Sequence, residues 1–358
     1  MTINLDALRK DLEQVEIKEI RKGRVIKKKM NIRLLSDENS MSTLQYVMPT
    51  GYPPLDFFLF GCGGLPIGKA VEIFGAEGTG KTTFIANIIY ACQQQNVVPI
   101  LWDTESAFAL DMERIRRMGI DPDNVLLSEA ETLEDGYKYA RKIFEKLAGK
   151  PSLFMWDSIA ATQSDIELEN PDLKAAGLQR GIILSSLCRA LTRLTAKSNA
   201  GVIFVNQVRS DPNQKGVMGR SSPTESSGSR AVKHFASMRI TMQYIKSIQE
   251  GDQHVGREIK FRTKKNKYTH PFKEVIIPMY YDTGFDRLGS LTRYAIDNQI
   301  VKRKLGKIFG DGIDGFPAKD NALWTSLLKL CEWEDYPEEF APLVEEKPEK
   351  KKGNKKKK

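Results

Sequence analysis

Ala70-Val71-Glu72-Ile73-Phe74 runs into Gly75-Ala76-Glu77-Gly78-Thr79-Gly80-Lys81-Thr82, and that in turn into Thr83–Gln94. The first segment is an apolar run of strand length; the last carries apolar residues at helical spacing. Between them lies Gly-x-x-x-x-Gly-Lys-Thr. Its glycines let backbone N–H groups wrap a polyphosphate, and the start of the helix adds the positive end of its dipole. At such a loop Lys81 neutralises the outer phosphates and the Thr82 hydroxyl ligates Mg2+, with Thr83 beside it. Strand, phosphate loop and helix in that order predict an α/β fold that binds ATP with Mg2+.

Outward from the loop the alternation continues. Val97–Trp102, Ser152–Asp157 and Val202–Asn206 read as strands, separated by helical patterns near 132–148 and 178–197. Strands alternating with helices predict a mostly parallel sheet covered on both faces, with ligands at the carboxyl ends of its strands. Three of those ends are polar. Asp157 is expected to hold Mg2+ through its water shell. Asp103 and Glu105 both follow another strand, and a carboxylate there can orient an attacking water. Spacing alone leaves the choice between them open. Gln207, at the third end, is a neutral donor and acceptor suited to sensing the γ-phosphate.

Past Gln207 a Gly/Ser-rich stretch, Arg209–Ser229, is too polar for a core. Apolar strands near 237–245 and 273–281 flank a basic one near 257–267, which predicts an antiparallel extension of the sheet. Ahead of the core, Leu5, Leu8, Leu12 and Val15 recur at helical spacing and predict a helix over roughly 4–20, followed by an irregular linker over 22–45. Trp324, Leu327, Leu328 and Trp333 mark a small C-terminal module.

The 358 residues are 41% hydrophobic and 28% charged, as in an ordinary globular chain. No apolar run is long enough to span a bilayer and no signal peptide opens the chain, so no membrane partner and a cytoplasmic location are expected. The four cysteines contain no Cys-x-x-Cys pair, which argues against a zinc site or a disulfide framework. The net charge of +9 is concentrated in two places. Lys347–Lys358 holds eight lysines and one glutamate, and Lys18–Lys29 seven basic residues and Glu19, so the rest is net acidic. The tail is read either as a solvated end or as a contact for a polyanion.

With these residues in hand, the stretch from about Pro49 to Val301 resembles the RecA family of ATP-dependent DNA recombinases. Pro49-Thr50-Gly51, Leu55-Asp56, Gly63-Gly64-Leu65-Pro66, Ser158-Ile159-Ala160-Ala161 and Phe204-Val205-Asn206-Gln207-Val208-Arg209 carry the likeness. It implies a RecA-like P-loop NTPase core at 48–303, after an N-terminal helix and linker at 1–47. A small module at 304–346 and a basic tail at 347–358 would follow. The resemblance makes Glu105 the catalytic carboxylate and Gln207 the relay between ATP and DNA. It brings Lys265 and Lys267 to the ATP of the adjacent subunit, and sets Arg114 where relatives offer the adenine an aromatic ring. His234 stands where they carry an aromatic residue at the subunit interface.

The resemblance also implies DNA-binding loops near 166–177 and 209–229. Val217 and Met218 would wedge between bases, while Arg180, Arg189, Arg209, Lys215, Arg220 and Arg230 suit phosphate contacts. The implied partners are single- and double-stranded DNA and further copies of the chain in a helical filament. A lysine tail where bacterial members end in acid suggests a viral or mobile-element source, and so a nucleoid or a host cytoplasm. Two rival readings share the core: a hexameric helicase, and a paralogue that regulates another recombinase.

Overall fold

The computed structural model describes residues 46–342 apart from 109–110, 148, 170–175, 209–229 and 319; ahead of these it describes residue 10, 14–21 and 24–29. The chain divides into two units, Met1–Gln45 and Tyr46–Lys358. In the first, β1 (Glu16–Arg21) and β2 (Arg24–Lys29) form an antiparallel hairpin in which Glu16 faces Lys29 and Arg21 faces Arg24. This corrects the sequence reading at both ends. The expected helix does not extend through 16–20, and the expected linker contains a strand. Ile17, Ile20, Val25 and Ile26 explain it, because β-branched residues fit a pleated pair better than a helical turn.

The second unit opens with β3 (Tyr46–Met48), a π-helical segment Pro54–Phe60, and β4 (Leu65–Ile67), which pairs with β3. Then come β5 (Ala70–Gly75), α1 (Lys81–Gln94), β6 (Val98–Asp103), α2 (Met112–Arg117), β7 (Leu126–Ser128) and α3 (Leu133–Leu147). They are followed by β8 (Ser152–Asp157), α4 (Asp165–Glu169), α5 (Ala176–Ser198), β9 (Ala200–Gln207) and α6 (Arg230–Phe235). An antiparallel ribbon comes next: β10 (Met238–Glu250), β11 (Gln253–Asn266), β12 (Glu274–Tyr280) and β13 (Gly284–Phe285). Last come α7 (Arg287–Asp297), a small sheet of β14 (Lys302–Lys304), β15 (Lys307–Gly310) and β16 (Ile313–Pro317), and α8 (Leu323–Leu330).

The central sheet has the order β13-β12-β11-β10-β5-β9-β8-β6-β7. From β10 to β7 every pairing is parallel, and from β10 to β13 every pairing is antiparallel. The expected α/β fold and its antiparallel extension are both present. Alternation along each strand divides the core. Val71, Ile73, Leu101, Met155 and Val205 face Phe84, Ile85 and Ile88 of α1. Ile100, Trp102, Phe154, Trp156 and Phe204 face Leu133 and Phe144 of α3 and Leu184 of α5.

On that second face the Trp102 and Trp156 rings stack at 4.4 Å, and Gly136 lies against Trp102. A Cβ on Gly136 would come within 1.9 Å of the indole. Gly136→Ala is therefore expected to cost about 1–3 kcal/mol through overpacking, read as a lower Cm in urea.

Trp324, Leu327, Leu328, Tyr336 and Phe340 join the same apolar cluster as Leu55 and Phe60. Asp56 is fully buried at that junction. It accepts hydrogen bonds from the Thr50 N–H at 2.8 Å, the Thr50 hydroxyl at 2.7 Å and the Tyr336 hydroxyl at 2.5 Å. The Tyr336 oxygen in turn accepts from Gly51 N–H at 2.8 Å.

Candidate active site

Strands β5, β6, β8 and β9 all end on one edge of the sheet, and their terminal residues converge there. Beyond Gly75 the chain wraps through Ala76, Glu77, Gly78 and Thr79 to Gly80, which caps α1 in a left-handed conformation with φ +80. A Cβ on Gly80 would lie 2.5 Å from the Met279 sulfur, so both backbone and space require glycine. The Thr79 hydroxyl donates to Ala76 O at 2.8 Å and tightens the loop.

The Lys81 ammonium donates to Gly75 O at 3.1 Å and Ala76 O at 2.8 Å. Burial draws its pKa down, while the carboxylates of Asp157, Glu105 and Glu77 push it back up. The next residue, Thr82, donates from its hydroxyl to Asp157 Oδ2 at 2.9 Å. Burial raises the Asp157 pKa to about 6; the Thr82 bond lowers it, Glu105 and Asp103 raise it, and Lys81 lowers it. A hydroxyl and a carboxylate side by side at a helix N-terminus are hard oxygen donors of the kind Mg2+ takes beside phosphate oxygens. The residues present fit that ion.

The geometry separates the two rival carboxylates. Asp103 accepts from the N–H groups of Ala107 at 3.1 Å and Phe108 at 2.8 Å, so it caps the turn after β6. Glu105 faces the site. Its Oε1 accepts from the Ser158 hydroxyl at 2.6 Å and from the Gln207 amide at 3.2 Å. Thr104 fixes the same corner: its hydroxyl accepts from Ser158 N–H at 2.9 Å and donates to Ser158 O at 3.0 Å. Ser158 and Thr104 thus position the carboxylate, although neither stood out in the sequence as a functional residue.

Arg114 and Thr83 meet on the other side of Thr82. Arg114 Nη2 donates to the Thr83 hydroxyl at 2.9 Å, and among the described residues its buried Nε has no hydrogen-bond partner. Both residues line a cleft with Thr82, Ala86, Phe108 and Met118, next to the phosphate loop.

Other expected residues lie elsewhere. Lys265 donates to the carbonyls of Lys233 at 2.9 Å and His234 at 3.0 Å, at the C-terminal end of α6. Burial lowers its pKa foremost, with Lys267 and Arg239 adding to the shift. Lys265 pairs with Arg239, and Arg239 with Glu72 near the start of β5. The lysines therefore sit at the edge opposite the loop, about 10–15 Å away along β5.

Arg180 does not face outward. Its guanidinium donates to Ile159 O at 2.6 Å and Thr162 O at 3.0 Å and lies 3.5 Å from Glu167. Nε and Nη2 are thus held on protein carbonyls, while Nη1 takes no part in these bonds. Arg189 is exposed on α5, with its guanidinium 5.9 Å from the Phe235 ring centre. Arg230 begins α6. Arg209, Lys215, Val217, Met218 and Arg220 lie outside the described residues, as do 170–175 of the first expected loop.

Among the described residues, no helix is long and apolar enough to cross a membrane. A sequence model of the RecA N-terminal domain matches residues 7–286. Protein RecA of Geobacter metallireducens is 36% identical over 269 residues, covering 75% of this chain and 76% of that protein. Protein RecA of Wolinella succinogenes is 35% identical over 258 residues, 71% of this chain and 70% of its own length. Protein RecA of Helicobacter pylori is 33% identical over 309 residues, 83% and 86% respectively. With this match running through the phosphate loop, Glu105, Asp157 and Gln207, the chain belongs to the RecA family of ATP-dependent DNA recombinases.

Proposed function

We propose that this chain polymerises on single-stranded DNA with ATP bound between neighbouring copies, and that it pairs and exchanges homologous strands. The observation that carries the reading is the hydrogen bond from Gln207 to Glu105. It ties the hydrolytic carboxylate to the last residue of β9, from which the Arg209–Ser229 segment departs.

In hydrolysis Glu105 orients a water against the γ-phosphate and takes its proton as the phosphorus–oxygen bond forms. The bond to the β-phosphate oxygen breaks and ADP leaves. Thr82 through its hydroxyl and Asp157 through bound water would hold Mg2+, which would supply charge neutralisation at the phosphate oxygens. Lys81 and the loop N–H groups neutralise the same charge. Arg114 stacks on or hydrogen-bonds the adenine from its cleft. Gln207 shares its amide between Glu105 and the γ-phosphate, so loss of that phosphate resets the end of β9 and the DNA-binding segment beyond it.

The trans site rests on charge as well as position. The loop edge carries Glu77, Asp103, Glu105 and Asp157, whereas Lys69, Arg239, Lys265 and Lys267 gather at the other. Stacked head to tail, one copy brings Lys265 and Lys267 to the phosphates held by the next, a heterologous contact that repeats into a filament. Such an interface responds to nucleotide because ATP and ADP differ in the charge the lysines meet. On the DNA, Arg189, Arg209, Lys215, Arg220 and Arg230 meet phosphates without sequence preference, and Val217 and Met218 separate bases. The site of action is nucleoid DNA in the cytoplasm, that of a host if a virus carries the gene.

Negative-stain images with single-stranded DNA, Mg2+ and a non-hydrolysable ATP analogue test this reading. Striated filaments together with strand exchange in ATP support it; closed hexamers that unwind a fork, or no assembly, contradict it. Replacing Lys265 and Lys267 together by Ala is expected to weaken filaments, so that they form only at higher protein concentration, while nucleotide binding by free subunits stays within about threefold of wild type.

A further inference from the structure

The crest of the phosphate loop is held from outside. Arg257 on β11 donates from Nη1 to Gly78 O at 2.6 Å, and from Nε to the Tyr281 hydroxyl at 3.0 Å. Its guanidinium also lies 5.7 Å from the ring centres of both Tyr244 and Tyr281. A residue 179 positions away in sequence thus grips the loop through a planar group flanked by Tyr244 and Tyr281.

The grip matters because of what the Gly78–Thr79 peptide must do. In a trans peptide the carbonyl and the following N–H point in opposite directions. Turning Gly78 O outward to Arg257 therefore turns the Thr79 N–H inward, toward the face that receives phosphate. Gly78 has φ +70, and at glycine a neighbouring peptide can flip at low steric cost. An anchor on the carbonyl removes that freedom before nucleotide arrives. A hydrogen bond from a charged donor is strong enough to hold one peptide in one orientation.

We propose that Arg257 is a positioning residue for the ATP site, preorganising the phosphate loop through Gly78 and linking it to the β10–β12 ribbon. This rests on the assignment of the loop to ATP. Arg257 acts on binding and makes no contact with the reacting atoms, so its loss weakens affinity and leaves turnover at saturation intact.

The test uses the full chain, a fluorescent ribose-labelled ATP with Mg2+, and DNA-stimulated hydrolysis. Wild type must first bind the labelled ATP; failure there overturns the ATP assignment itself. Arg257→Ala is expected to raise both Kd and KM for ATP about tenfold, the scale of one charged hydrogen bond. Its kcat is expected to stay within about twofold, while Arg257→Lys recovers most of the affinity. Arg257→Gln, which keeps an N–H donor, is expected to fall between the two, and Tyr281→Phe to raise KM more modestly. Should the Ala variant fail to fold by circular dichroism, the Gln and Phe variants decide. Affinities unchanged from wild type, or a fall in kcat at constant KM, overturn the proposal.

Discussion

Replacing Glu105 with Gln is expected to lower DNA-stimulated ATP turnover by about 10²–10⁴-fold, the usual weight of a positioned base. Gln keeps an oxygen that can accept from the Ser158 hydroxyl and Gln207 amide, now 2.6 and 3.2 Å from Oε1. The corner should therefore survive and only the proton acceptor is lost. Affinity for ATP should stay within about threefold, because uniform binding does not depend on that proton. Filaments formed in ATP should then persist, since the charge that holds them is no longer removed. Steady-state phosphate release and time-resolved imaging read both effects. Asp103→Asn should behave differently: it weakens a turn cap and leaves the chemistry in place, giving a lower melting temperature with kcat near wild type.

The second large effect concerns pH and stability. Burial raises the Asp56 pKa to about 7, against the lowering effect of its bonds from Tyr336 and Thr50. Tyr336, facing it, is itself pushed well above the ordinary tyrosine value by burial. A carboxyl with a raised folded pKa holds its proton in the folded state where the unfolded chain has lost it. Its favourable contribution is complete below the ordinary value of 3.8 and is lost as pH rises through about 7. Asp56→Asn removes the titration. The stability of wild type minus that of the variant is expected to fall by roughly 3 kcal/mol between pH 5 and pH 8. Urea unfolding at the two pH values measures it, and a constant difference contradicts the assignment.

What the sequence made legible was local. Gly75–Thr82 needs only its own spacing and the segments on either side, so loop, strand and helix were all readable. Asp157 was readable because an apolar strand leads straight into it. Asp103 and Glu105 were not separable by spacing: both follow β6, and only the folded turn shows that one accepts from Ala107 and Phe108. Arg180 illustrates the same limit from the other side. A cation count places it with the DNA contacts, whereas the return of α5 over the 159–167 turn brings it against Ile159 and Thr162 carbonyls. Arg257 was invisible because its partner lies across the sheet. At Glu16–Lys29 the helical stripe ended at Val15, and β-branched residues took over as a hairpin.

In the proposed head-to-tail assembly each ATP site is built from two copies, with Glu105 and Gln207 from one and Lys265 and Lys267 from its neighbour. Mixing two defective variants tests it most directly: Glu105→Gln, and the Lys265→Ala/Lys267→Ala pair. In a randomly mixed head-to-tail filament about one site in four has an intact Glu105 facing intact lysines. An equimolar mixture on single-stranded DNA is expected to recover about a quarter of wild-type hydrolysis, although each variant alone is nearly inactive. Mixed filaments that form and yet recover no hydrolysis would contradict a site shared between copies.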